Sequence, residues 1–102
     1  MTIEKVELTG PKHTFRVFHS FPEDPTLAVY VSVIKALEDQ VWVGTPFGGL
    51  NHPLNSLEIQ SLVQLLLGRP VMIGGELPYE VHDIDEPNPS RSWKAYELKT
   101  LP

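Results

Sequence analysis

The chain contains no cysteine, which excludes disulfides, thiolate zinc sites and cysteine nucleophiles together and favours a reducing compartment. It also lacks a long apolar run. The longest, Leu27 to Ile34, is interrupted by Ser32 and falls far short of the ~20 residues that span a bilayer. Met1 to Gly10 alternates charges with single apolar residues and has no stretch resembling the core of a signal peptide. Together these absences predict a cytoplasmic protein that is not membrane-embedded. No basic stripe exists to displace phosphate counterions, so direct nucleic-acid binding is disfavoured. Neither the P-loop nor the G-x-G-x-x-G spacing occurs, and no serine lies in a nucleophile motif. No cofactor and no metal is therefore expected.

What is present describes an ordinary small globular chain. At 102 residues, with 41% hydrophobic and 21% charged residues, it matches a single domain with one core rather than a disordered segment. The net charge is −5, and its distribution matters more than its size. Glu76, Glu80, Asp83, Asp85 and Glu86 lie within eleven residues without an intervening lysine or arginine, while the other eight acids match the eight bases.

Ten prolines, about twice the usual rate, divide the chain into windows where regular structure fits. Thr2 to Thr9 predicts a weak strand. His13 to Phe21 predicts a better one, with Phe15, Val17, His19 and Phe21 on one face, although Phe18 interrupts the polar face. Between Thr26 and Thr45, Asp24-Pro25 has the form of a helix start. The β-branched Val29, Val31, Val33 and Ile34 favour a strand instead. We expect a hairpin: a strand from Leu27 to Leu37, a turn at Glu38-Asp39 and a return strand from Gln40 to Thr45. Val71 to Leu77 reads as a buried strand interrupted by Gly74-Gly75. Tyr79 to Ile84 reads as a separate acidic strand, Asp85 to Ser92 as a loop, and Trp93 to Leu101 as a closing strand.

The clearest element is a helix from Ser56 to Leu67. Asn55 and Glu58 have capping-box spacing, Ile59, Leu62, Val63, Leu66 and Leu67 share one arc, and Gly68 and Pro70 end it. The expected fold is therefore α+β: an antiparallel or mixed sheet of about five to six strands packed on one main helix. Leu57 and Leu65 fall off the apolar arc and become candidate contact residues.

The run from Leu37 through Trp42 to Thr45, followed by Gly48-Gly49-Leu50-Asn51, resembles one repeat of the two-component-regulator β-propeller family. The match covers about seventeen residues and occurs once, where a propeller needs several blades. What it implies is local: a turn at Glu38-Asp39 and a strand through Trp42.

Several clusters invite functional readings beside plainer ones. Gly48-Gly49, in the loop from Pro46 to Pro53, has a phosphate cradle's composition, but no lysine or arginine lies between Val41 and Gly68; turn glycines are the plainer account. His52 is a general-base candidate or a loop histidine. His13 and His19 lie six residues apart, roughly 20 Å along a strand, too far to share a metal; His19 reads as a core-edge residue. Glu80, His82 and Asp83, or Asp83, Asp85 and Asn88, offer ligands to a divalent cation, yet the calcium-loop glycine and closing glutamate are missing.

The acidic segment supports two accounts. It is a charged edge strand that blocks aggregation, or a surface that docks a basic partner. The second makes the chain a non-enzymatic protein-binding regulator or inhibitor. Glu76, Glu80, Asp83, Asp85 and Glu86, joined by Leu57 and Leu65, would then meet another protein with a basic, possibly nucleic-acid-binding, surface. Inhibitors encoded by mobile elements and toxin-immunity proteins share this size and charge. The alternatives are a small enzyme or ligand-binding domain using the Pro46 to Pro53 loop, His52 and nearby carboxylates, and a homo-oligomeric structural component.

Overall fold

The computed structural model describes residues 1–10, 14–46, 54–84 and 92–101. Its elements run β1 (Thr2–Gly10), β2 (Thr14–Ser20), β3 (Tyr30–Ala36), β4 (Gln40–Gly44), α1 (Ser56–Leu67), β5 (Val71–Val81) and β6 (Trp93–Thr100). The strands form one six-stranded sheet in the order β1-β2-β3-β4-β6-β5. Every neighbouring pair is antiparallel. This is the expected α+β arrangement, with the sheet wholly antiparallel. Strands β4 and β5, both antiparallel to the β6 between them, run parallel, so α1 carries the chain across the sheet to its edge.

The helix follows from local chemistry. Asn55 Oδ1 accepts from the Glu58 amide and Glu58 Oε1 accepts from the Asn55 amide, both at 2.9 Å, so two orphan donors of the first turn are satisfied reciprocally. Gly68 closes the other end at φ 68°, a left-handed conformation that glycine adopts without steric cost. Ile59, Leu62 and Val63 are fully buried against Val17, Ile34, Val41, Val43, Val71 and Leu98; Leu66 and Leu67 pack half-buried at the margin.

The hairpin of β3 and β4 turns at residues 38–39, with Leu37 bonded to Gln40 across it and Trp42 opposite Lys35. The local implications of the propeller resemblance hold, but β4 sits inside the six-stranded sheet. Three expectations are corrected. The third strand starts at Tyr30, not Leu27. Asp24 accepts from the Thr26 amide, the Thr26 hydroxyl and the Tyr30 hydroxyl, building a turn that leaves Leu27 at φ 53°, outside strand geometry. Those bonds, the Thr26 hydroxyl first, hold the Asp24 carboxyl below its usual range. Second, the two strands expected on either side of Pro78 are one, β5. It absorbs its glycines and proline through register shifts between Ile73 and Glu76 and between Glu76 and Glu80, as an edge strand can. Third, His19 is no core-edge residue. It is fully buried, as is Ser32.

Candidate functional site

Strand β5 forms one edge of the sheet, and the residues of the acidic segment do not all share one surface. Glu76 and Glu80 stay together on the strand, and Asp83, beyond its end, does not join them. On β6, Tyr96 and Leu98 face the helix and belong to the core. Ile73 lies opposite Leu98 and Glu76 opposite Tyr96, so β5 spends three residues where β6 spends two. That extra residue reverses the alternation and turns Glu76 toward the helix side. There the Tyr96 hydroxyl donates to Glu76 Oε1 at 3.5 Å and Lys94 Nζ stands 3.5 Å from the same oxygen. Burial first, and the Glu76 charge second, push the Tyr96 phenol up to about 12. Glu80 lies opposite Lys94 and is exposed. Glu76, Leu77, Pro78, Tyr79, Glu80 and Lys94 line a shallow depression of about 220 Å³.

Asp83 has a different fate. Val81 pairs with Trp93 on the face away from α1, and the chain beyond it crosses that face. Asp83 Oδ2 forms an ion pair and hydrogen bond with Lys35 Nζ of β3. The two side chains are only 10% and 16% exposed. Lys35 also stands over the Trp42 ring, 5.7 Å from its centroid, and Trp42 leans on Trp93 at 6.4 Å. The Asp83 charge is thus answered inside the fold by a cation 48 residues away in sequence. Asp85 and Glu86 lie outside the described residues. So do His13, His52, Asn88, Gly48-Gly49 and the rest of the expected loop beyond Pro46.

The candidate contact leucines, Leu57 and Leu65, are both strongly exposed on the outer side of α1, two turns apart. The neighbouring Gln60 and Gln64, which the helical period assigns to the solvent side, instead bond to the sheet. Gln64 Oε1 accepts from the Val71 amide at 3.2 Å and Gln60 Oε1 from the Ile73 amide at 3.0 Å. These β5 amides point away from β6, so the helix covers the first part of that edge. Nothing in the local sequence marks glutamine for this role; it depends on where α1 lands.

Sequence reading also missed the pairing of His19 with Ser32. His19 Nε2 and Ser32 Oγ share a hydrogen bond at 2.8 Å, and the ring packs between Phe21 and Tyr30. Burial lowers the His19 pKa below 6.5, with Glu58 opposing and the N-terminal charge assisting. Both residues are sealed from solvent, so this is a polar pair within the core. Period-two spacing could have located it, since His19 alternates with Val17. Elsewhere, Arg16, Phe18, Val29, Tyr30, Val31, Thr45 and Pro46 line an open, mainly apolar groove of about 540 Å³. Among the described residues no group of three metal-ligating side chains converges, and no helix is long and apolar enough to cross a membrane.

Comparison with known protein families, with curated proteins and with solved structures finds no match.

Proposed function

We propose that this chain is a non-enzymatic protein-binding domain, a cytoplasmic regulator or inhibitor. Its contact surface is the outer half of β5. The observation that carries the reading is the sequence of exposed groups there: Glu76, Tyr79 and Glu80 stand out on a strand whose Pro78 has no amide to offer a neighbour. A partner therefore meets side chains rather than an open backbone ladder. An exposed tyrosine between carboxylates supplies apolar area at small entropic cost, with charge to steer a basic surface toward it. Lys94 offsets part of that charge, and Asp83 contributes none of it, being paired with Lys35. Leu57 and Leu65 offer a separate apolar contact on α1.

The test is affinity capture from the source cell at low and high salt, using the wild type, Glu76→Gln/Glu80→Gln and Tyr79→Ala. The reading expects a partner with a basic surface that is retained at low salt, released at high salt and lost from both variants. A partner profile unchanged by the charge substitutions at low salt would overturn it.

A further inference from the structure

Strand β1 is the opposite edge of the sheet, and it is treated differently from β5. It contains no proline, and among the described residues its hydrogen-bonded neighbour is β2 alone. No side-chain acceptor covers its outer amides among the described residues. Register shifts between Ile3 and Lys5 and between Leu8 and Gly10 bound a regular stretch of Lys5, Val6, Glu7 and Leu8. Within it Val6 and Leu8 are exposed on the helix side. Lys5 and Glu7 share the far side, 3.6 Å apart, with 63% and 38% of their side chains exposed.

We propose that two copies of the chain pair through this stretch, antiparallel about a two-fold axis at Val6. The charge pattern selects the occupant and the register. Centring on Val6 sets the valine against its own copy and Lys5 against Glu7 of the partner subunit, twice over because the contact is isologous. Opposite charges directly across a strand pair attract, and like charges repel. A shift of two residues would set Lys5 against a second Lys5 or Glu7 against a second Glu7. A shift of one would put the valine and leucine on the wrong side. The two bulges keep the junction short, so it stands at the weak end of protein interfaces.

Sedimentation equilibrium at low salt, from low to high micromolar concentration, reads the result directly: the wild type's mean mass rises toward twofold. Lys5→Glu and Glu7→Lys each set like charges opposite one another and weaken association by roughly tenfold. An equal mixture of the two variants recovers wild-type association, because the glutamate introduced in one copy then faces the lysine introduced in the other. The double variant Lys5→Glu/Glu7→Lys recovers it alone. Lys5 is exposed and Glu7 half-buried opposite Arg16, so an unchanged melting temperature is required of each variant before its association is compared. A wild type that stays monomeric at high micromolar concentration overturns the proposal. So does association unchanged by either single substitution, or weakened by both but restored by neither the mixture nor the double variant.

Discussion

The two edges of this sheet meet the same hazard with different means. An edge strand exposes unpaired amides and carbonyls that any extended chain can join. At β5 the amides of Val71 and Ile73 are taken by Gln64 and Gln60, Pro78 removes another donor, and two bulges distort the rest. At β1, among the described residues, only the bulges and the alternating charges of Glu4, Lys5 and Glu7 intervene. Distance from α1 explains the contrast. The helix packs on β5 and can lend it side chains, whereas β1 lies at the far end of the sheet.

The largest effect should come from cutting the tether at the end of β5. Asp83→Asn leaves Lys35 mostly buried without its counter-charge, and should cost about 3 kcal/mol in urea denaturation. A loss under ~1 kcal/mol would mean that water reaches the pair as at an exposed bridge. Next, Gln60→Ala and Gln64→Ala should each cost about 1 kcal/mol. The double variant should also scatter more light at high concentration, because the protected edge would come to resemble β1; unchanged scattering would show that Pro78 and the bulges suffice.

A smaller contrast lies within β5 itself. A Cβ on Gly74 would stand 3.0 Å from Glu97 Cβ, while one on Gly75 meets nothing within 4 Å. Gly74→Ala should therefore destabilise by about 1 kcal/mol, and Gly75→Ala by less than ~0.5 kcal/mol. Equal melting temperatures for the pair would remove close packing as the reason for the first glycine.

The last prediction is a pH slope, and it concerns the core between the edges. The folded state holds the His19 pKa below its ordinary 6.5, so below pH 6.5 the unfolded chain binds the proton first. Stability should be full above pH 6.5 and fall as pH drops below it, levelling once the folded state also protonates. His19→Gln should flatten that part of the curve in denaturation series from about pH 7.5 to about pH 5. A slope that survives the substitution would assign it to other groups.

Which of these features the sequence discloses depends on how local their causes are. The helix and its ends were legible to the residue because Asn55, Glu58, Gly68 and Pro70 act within one turn of where they stand. The hairpin turn was legible for the same reason, and the six antiparallel strands fit the expected α+β class. The start of β3 was not, because Leu27 and Val29 look like core and are exposed; their conformation is set by Asp24 and Thr26. Nor was β5 as one strand, since glycine and proline read as breaks unless the strand is known to be an edge. The acidic segment shows the limit most plainly. One bulge turns Glu76 to one face, Asp83 ends on the other, and their cationic neighbours, Lys94 and Lys35, come from other strands.

The place of β6 has a kinetic consequence. The meander β1–β4 can assemble from neighbours in sequence, and so can the unit of α1 and β5. The helix packs on both the meander and β5, but the strand pairing that joins them runs through β6, with Gln40 opposite Glu97 on one side and Val71 opposite Thr100 on the other. The first of these closures spans more than half the chain, the kind of non-local pairing that slows folding. Until it forms, the nascent protein exposes two further edges, those of β4 and β5, and the sheet becomes continuous only when its final strand slides between them.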